Sequence, residues 1–437
     1  MRISVIGCGY LGAVHAASMA HLGHDVIGVD VDAAKIQLLS RGEAPFYEPG
    51  LPELLESSLA TGRLAFTTDV AAAEGAQVHF VCVGTPQKKG EYAADLRYVD
   101  AAVQALLPHL RPGDVVVGKS TVPVGTTERI AEEVAATQAG ATVVWNPEFL
   151  REGFAVQDTL HPDRIVYGLP DGEAGARAKE LLDEVYATPI AEGIPVVVTD
   201  RATAQLVKVA ANSFLATKIS FINAMAELCE ATGADVTQLA DAIGYDARIG
   251  RRFLNAGLGF GGGCLPKDIR AFMARAGELG VDQALSFLRE VDSINMRRRV
   301  RTVDLVREVC QGSIVGRRVA VLGAAFKPDS DDIRDSPALS VAAQMGLQGA
   351  HVVVTDPQAL DNAERIWPDL RYAATAEEAA KEADVVLLAT EWPEYRGLDP
   401  VAFGEVVARK VIVDGRNVLD PATWRAAGWV YRALGRP

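Results

Sequence analysis

The sequence lacks the features that mark several functional classes. Its 437 residues carry 43 Lys and Arg against 57 Asp and Glu, a formal net charge of −14. A chain without a positive excess offers no electrostatic footprint for nucleic acid or an anionic membrane as main partner. An anionic small ligand stays open, because a few Arg and Lys residues with helix N-termini bind one locally. No uncharged apolar run reaches the roughly 18 residues that a membrane-spanning helix needs. A strand-like run, RISVIG, begins at Arg2 and leaves no space for a signal peptide, so a cytoplasmic location is the default expectation. Cysteine is scarce as well. Cys8, Cys82, Cys229, Cys264 and Cys310 are odd in number, widely spread and without a C-x-x-C pair. They suggest neither a disulfide framework nor a zinc site, and no metal is expected.

What is present is a regular alternation. ISVIG, DVIGVD, VHFVCVG, DVVVGKS and ATVVWN read as buried strands, with helical segments such as LGAVHAASMAHLG between them. That order predicts a parallel sheet covered by helices on both faces. The C-terminal part repeats the scheme: RRVAVLG parallels RISVIG, AHVVVTD parallels HDVIGVD, and EADVVLLATEWP parallels GAQVHFVCVGTP. Between the halves lies a proline-free helical pattern that Thr199 or Asp200 can cap and Gly233 can end. If continuous it is about 33 residues, or roughly 50 Å, long enough to bridge domains and to offer a dimer surface. The expected class is α/β, with two Rossmann-like doubly wound domains joined by a long central helix and a helical middle region. The expected boundaries are 1–198, 199–300 and 301–437.

GCGYLG places Gly7, Gly9 and Gly12 in G-x-G-x-x-G spacing, after a strand and at the opening of a helix. The glycines permit a tight turn and bring a pyrophosphate close to the helix N-terminus. Asp30 ends the next strand, where a carboxylate accepts from the ribose hydroxyls of NAD and repels a 2′-phosphate. NAD is therefore expected over NADP. The second half keeps Gly323 but has Ala325 in place of the second glycine, and bulk at Phe326. Lys327 and Arg334 offer cations there for a different diphosphate, such as that of a nucleotide sugar. The alternative is a solvated charged loop, given Asp329, Asp331, Asp332 and Asp335.

GLGFGGGCLPKD, residues 257–268, sets one thiol beside a run of glycines and a Lys–Asp pair. Such a segment is expected to be flexible. A thiol becomes a nucleophile when a nearby cation lowers its pKa, and Lys267 and Lys208 are the candidates. Equally, Cys264 can fill a small pocket in a turn. Lys208 and Asn212 stand four residues apart on the long helix and share a face. Lys208 is either buried and functional or snorkelling. Glu148 and Glu152 in WNPEFLREG, and Thr121 in KSTVPVGTT, follow strands, where open parallel sheets bind ligands. Alone, each also reads as ordinary loop polarity.

Together these stretches resemble the UDP-glucose/GDP-mannose dehydrogenase family over essentially the whole chain. FYEPGL, VGTP, KVAANSFLATKISFINAMAELCE, AFKPDSDDIRDSPAL and DGRNVLD carry the resemblance alongside the motifs above. It implies oxidation of a sugar C6 alcohol to a carboxylate with two NAD⁺, the aldehyde being held on a cysteine as thiohemiacetal and then thioester. Cys264 would be the nucleophile, Lys208 and Asn212 the oxyanion stabilisers, Asp268 with Thr121 the proton-transfer pair, and Glu148 an aid to thioester hydrolysis. NAD would contact Gly7, Gly9, Tyr10, Leu11, Gly12, Asp30, Lys35, Thr85, Thr121, Glu152, Lys267 and Arg334. The nucleotide sugar, UDP-glucose by this resemblance, would contact Glu148, Phe149, Leu150, Arg151, Glu152, Lys208, Asn212, Phe253, Leu254, Asn255, Ala256, Gly257, Gly261, Lys327 and Arg416. Arg248 would reach the substrate of the other subunit in a homodimer. One departure is Gly263, where the family often carries a larger residue, and it is expected to loosen the loop. GDP-mannose or a UDP-N-acetylhexosamine are the alternative substrates. A non-catalytic binder of NAD or nucleotide sugar is the alternative of another class.

Overall fold

The computed structural model describes every residue from Met1 to Pro437. They form two compact units. One comprises Met1–Ala211 with Arg270–Gly280, the other Asn212–Ile269 with Val281–Pro437.

The first unit is built on β1 (Arg2–Ile6), β2 (Asp25–Val29), β3 (Leu64–Thr67), β4 (Val78–Val81), β5 (Val115–Gly118), β6 (Thr142–Trp145), β7 (Ile165–Leu169) and β8 (Val196–Asp200). Their order in the sheet is β3-β2-β1-β4-β5-β6-β7-β8. Neighbours pair in parallel except β6 and β7. The inner strands β1, β4 and β5 are apolar because both faces are covered, whereas the edge strand β8 leaves Val197 and Val198 exposed. Side chains alternate between faces: Ile3 and Val5 join one buried cluster and Ile6 the other, as do Val115 and Val117 against Val116. The order reverses at β1, which lies between β2 and β4, so the turns after β1 and β4 flank a switch point. Helix α1 (Tyr10–His21) follows β1 directly, and the short helix α2 (Ala155–Leu160) follows β6.

The expected long helix is continuous: α3 spans Arg201–Thr232, 32 residues. Asp200 caps it, accepting the Thr203 N–H at 2.8 Å. Gly233, at φ 76, ends it in the left-handed conformation that glycine adopts without strain.

The second unit repeats the parallel plan with β9 (Arg318–Leu322), β10 (His351–Thr355), β11 (Arg371–Tyr372), β12 (Val385–Leu388), β13 (Val411–Asp414) and β14 (Val430–Ala433). The order is β11-β10-β9-β12-β13-β14, all parallel, with β9 taking the part that β1 plays in the first sheet. Helices α4 (Leu265–Glu278), α5 (Phe287–Val309) and α6 (Pro337–Leu347) complete the elements needed below. The expected fold class is therefore observed: two doubly wound sheets and a long helix.

Gly118, the last residue of β5, shows how tightly the first sheet is covered. A Cβ there would lie 2.0 Å from the ring of Trp145, itself 2% exposed. Gly118→Ala should cost about 1–3 kcal/mol by overpacking. Gly346→Ala, in helix α6 with open space around it, should stabilise by about 0.5–1 kcal/mol. Calorimetric midpoints should therefore move in opposite directions; a Gly118→Ala midpoint equal to that of the parent would refute the packing argument.

Candidate active site

In the first unit the residues singled out from sequence gather at the carboxyl ends of the strands. Gly7 turns the chain at φ 92, and its N–H donates to the Val29 carbonyl at 2.7 Å. A Cβ on Gly12 would fall 1.7 Å from the Gly7 carbonyl oxygen, so only glycine lets α1 start this close to β1. Gly9 has no heavy atom within 4 Å of the place a Cβ would take, and no side chain caps the helix there. Open space over uncapped N–H groups is what a pyrophosphate requires. Asp30 accepts from the Cys8 N–H at 2.8 Å, the Asp32 N–H at 3.0 Å and Lys35 Nζ at 2.8 Å. Burial pushes this carboxyl up, but Lys35 and the two N–H groups outweigh it and hold the group below the usual carboxylate range. These residues fit the adenosine side of NAD.

Thr85 and Thr121 follow β4 and β5 and meet directly, the Thr85 hydroxyl donating to the Thr121 carbonyl at 2.8 Å. After β6 comes the 148–152 segment. Glu148 accepts the Leu150 N–H at 2.8 Å and pairs with Lys208 Nζ at 2.9 Å. Lys208 is 5% exposed, so it does not snorkel. Its ammonium also stands 5.7 Å from the centre of the Phe149 ring. Glu152 is buried, and Arg151 forks onto Asp158.

In the second unit Cys264 is exposed while the other cysteines of the chain are buried. It immediately precedes α4, and its carbonyl accepts the Asp268 N–H at 3.0 Å, the first bond of the helix. Asp268, 2% exposed, accepts from Asn212 Nδ2 at 2.7 Å and Lys267 Nζ at 2.6 Å. Cys264, Asn212, Lys267 and Asp268 are thus brought together.

The glycine run does not behave as a flexible segment, and here the sequence expectation is corrected. A Cβ on Gly257 would meet the Gly415 carbonyl at 2.6 Å, on Gly261 the Asp335 carbonyl at 2.3 Å, and on Gly263 the Arg334 guanidinium at 2.2 Å. Gly259 and Gly262 also take φ 102 and φ 84, where side chains are strained. The loop is tied at each step. Asn223 accepts the Gly257 N–H at 2.9 Å, Arg416 Nη1 donates to the Gly259 carbonyl at 3.0 Å, and the Gly262 N–H donates to the Arg334 carbonyl at 2.8 Å. At Gly263 the near neighbour is the tip of the Arg334 side chain, itself 62% exposed. Lys327 lies over the Phe326 ring at 5.6 Å, and Arg416 Nη2 donates to the Phe326 carbonyl at 3.2 Å. Leu254 and Ala256 are buried, Phe253 and Asn255 exposed. Arg248 stands apart: its side chain is 89% exposed and forks onto Asp246.

The turn after β9 looks like a second fingerprint but is filled from within. Asp356, at the place of Asp30, is 2% exposed and accepts from the Ala324 and Ala325 N–H groups, Trp392 Nε1, and the Gln358 and Ala359 N–H groups. No acceptor capacity is left for a ribose.

Three family models match the chain: the UDP-glucose/GDP-mannose dehydrogenase family NAD binding domain over residues 1–189, its central domain over 202–297 and its UDP binding domain over 320–421. The chain is 43% identical to the UDP-glucose 6-dehydrogenase of Rhizobium meliloti over 440 residues, covering 100% of both. This chain belongs to the UDP-glucose/GDP-mannose dehydrogenase family. A UDP-glucose dehydrogenase from the archaeon Pyrobaculum islandicum superimposes with TM-score 0.90 at 40% identity, over 100% of this chain and 98% of that one. A UDP-D-ManNAc dehydrogenase from Pyrococcus horikoshii gives 0.86 at 27% identity, over 100% and 99%. The first unit holds the family's NAD binding domain, which agrees with the cradle at Gly9.

Three residues around these family sites escaped sequence reasoning. Lys119, buried after β5, donates to Asn146 Oδ1 at 2.9 Å and to the Tyr186 hydroxyl at 3.2 Å, and burial pushes its ammonium down to about 8. Asn295 of α5 brackets the Phe260 peptide. Glu48, inside FYEPGL, accepts the Gly153 N–H at 2.6 Å and the Ala155 N–H at 2.7 Å, and contacts the Tyr10 hydroxyl. Its sequence signal was its place in FYEPGL, one of the stretches that carry the resemblance, with no role attached to the glutamate.

Glu48 therefore ties the fingerprint helix to the segment carrying Glu148 and Glu152. Glu48→Gln would turn an NH₂ donor toward one of those N–H groups. A lost bond to a charged acceptor is worth about 1.5–3 kcal/mol, so amide exchange across 150–160, read by mass spectrometry, should accelerate about tenfold or more. Unchanged protection would show that the carboxylate does not hold the segment.

Proposed function

We propose that this chain oxidises the C6 alcohol of UDP-glucose to the carboxylate of UDP-glucuronate, using two NAD⁺. The observation that carries the reading is Cys264, the exposed thiol at the start of α4 beside the Asp268 cluster. One two-electron oxidation of an alcohol has no use for a thiol. A four-electron oxidation must hold the aldehyde between its halves, and a thiolate does so covalently. The full-length relatedness to UDP-glucose 6-dehydrogenases supports the sugar.

Bound NAD⁺ supplies the hydride acceptor for each half. Sγ of Cys264 adds to the aldehyde carbon, and the carbonyl oxygen takes a proton to give a thiohemiacetal. Its oxidation leaves a thioester. A water oxygen attacks that carbonyl, the C–S bond breaks and the sulfur leaves as thiolate. In sum two hydrides leave the sugar, one water enters and three protons are released. Lys208 and Asn212 stabilise the oxyanions as they form. Asp268, with a water and Thr121, moves the alcohol proton, and Glu148 orients the hydrolytic water. The cofactor and sugar contacts are those named from the resemblance.

A homodimer belongs to the same proposal. Phe214, Phe221 and Leu228 are 66%, 48% and 59% exposed and recur every seven residues along α3, about two turns, as one apolar stripe. Such a stripe suits a second copy. The exposed Arg248 supports its assignment to the partner's substrate. A cytoplasmic location completes the reading.

With a panel of nucleotide sugars, two NADH per UDP-glucose consumed is expected. One NADH per sugar, or turnover of GDP-mannose alone, would refute the reading. Cys264→Ala should retain NADH binding and form no acid; acid formation by that variant would remove Cys264 as nucleophile. Phe221→Glu should shift the sedimenting species from dimer to monomer, and an unchanged dimer would place the interface elsewhere.

A further inference from the structure

Asn295 lies on α5 and is 0% exposed. Its Oδ1 accepts the Phe260 N–H at 2.7 Å and its Nδ2 donates to the Phe260 carbonyl at 3.0 Å. One side-chain amide thus serves both polar groups of one peptide unit, as a neighbouring strand would. The carboxamides of Asn and Gln are the uncharged side chains with an acceptor and a donor in that arrangement, and the distance here suits the shorter one. Gly259, next to it, has no room for a side chain: a Cβ would lie 2.5 Å from Asn295 Oδ1. Arg299, one turn further along α5, adds a donor to the Phe260 carbonyl at 3.3 Å and pairs with Asp335 at 2.8 Å. Downstream of Phe260 come three glycines and then Cys264, at the start of α4. The thiol therefore sits between two fixed points, the bracketed Phe260 peptide and the first turn of α4. The three glycines between are short and held by backbone alone, the Gly262 N–H donating to the Arg334 carbonyl at 2.8 Å, so a displaced Phe260 peptide shifts the residue that follows them.

We propose that Asn295 is a positioning residue that sets where the Cys264 sulfur stands, and so governs capture of the aldehyde rather than the first oxidation. This rests on the nucleophilic reading of Cys264. The partition between the two oxidations separates positioning from a general structural role, because a general loss slows both alike.

The experiment is NADH stoichiometry with UDP-glucose, with and without hydroxylamine to trap free aldehyde, on the full-length protein. The parent should give two NADH per sugar and no trapped oxime; any other parent result refutes the thiol reading itself and is thereby told apart. Asn295→Asp keeps the acceptor and faces the Phe260 carbonyl with a second oxygen. It should bind NADH normally, make acid at a rate lower by about tenfold or more, as expected for a misplaced reacting group, and drop toward one NADH per sugar with oxime appearing. Asn295→Ser, smaller and uncharged, should shift the same way to a lesser degree, and serves if the first variant does not fold. Two NADH per sugar in the folded variants, at any rate of turnover, would overturn the proposal. So would loss of NADH binding in both, which would make Asn295 a folding residue.

Discussion

Close packing of glycine backbone is the constraint on which the second unit's reactive segment depends. The glycines at 257, 259, 261 and 262 press against the Gly415 carbonyl, the Asn295 amide, the Asp335 carbonyl and the Phe326 ring at distances that leave no space for a methyl group. At these positions the absence of a side chain lets the loop reach its supports, and once there its N–H and carbonyl groups find partners in Asn223, Arg416, Asn295 and Arg334. Buried peptide groups are costly unless bonded. Absence of side chains and presence of hydrogen bonds are therefore one device. Glycine raises the entropy lost on ordering, and the bonds offset it.

The two sheets show the same turn put to different use by one substitution and one acid. After β1 the second glycine leaves the helix N-terminus open and Asp30 keeps a face toward Lys35 at the rim. After β9 Ala325 is fully buried, its carbonyl taken by the Thr390 hydroxyl at 2.7 Å, and Asp356 is saturated by neighbouring donors. A carboxylate with every lone pair engaged cannot recognise a ribose, whatever the strand order around it. The turn after β9 is thus closed to a dinucleotide ribose by hydrogen bonds local to this chain.

Elements whose logic is periodic or sequential were readable in the sequence. The strands β1, β2, β4 and β5 announce themselves as short runs rich in Val and Ile, and Gly7, Gly9, Gly12 and Asp30 stand at spacings that one turn and one strand length dictate. The end of α3 at Gly233 follows from the same local rules. What escaped is set by partners distant in sequence. Asn295 is 35 residues from Phe260, and Glu48 is 105 from Gly153. Both sit where pattern predicts nothing: one polar residue on a helix rich in arginine, one acid between Tyr47 and Pro49. The glycine run misled for a related reason. Composition reports freedom in the unfolded chain, whereas the tertiary neighbours decide whether that freedom survives.

The charges weighed as partners of the thiol illustrate the same dependence, each within its own unit. Lys267 and Lys208 were the cations named from sequence, and each has a carboxylate at short range: Asp268 at 2.6 Å and Glu148 at 2.9 Å. Arg334, which lies over Gly263, pairs with Asp332 at 2.7 Å. A cation so compensated contributes a dipole rather than a full charge, and its field falls off faster with distance. The N-terminus of α4 carries a partial positive charge of about 0.5 in the usual description. The Cys264 carbonyl makes the first bond of that helix, so Cys264 is the residue at its N-terminal boundary. Asp268, four residues on, lies in the same first turn but spends both carboxylate oxygens on Asn212 and Lys267. The charge of Asp268 is thereby shared with Lys267 rather than left bare in the first turn of the helix.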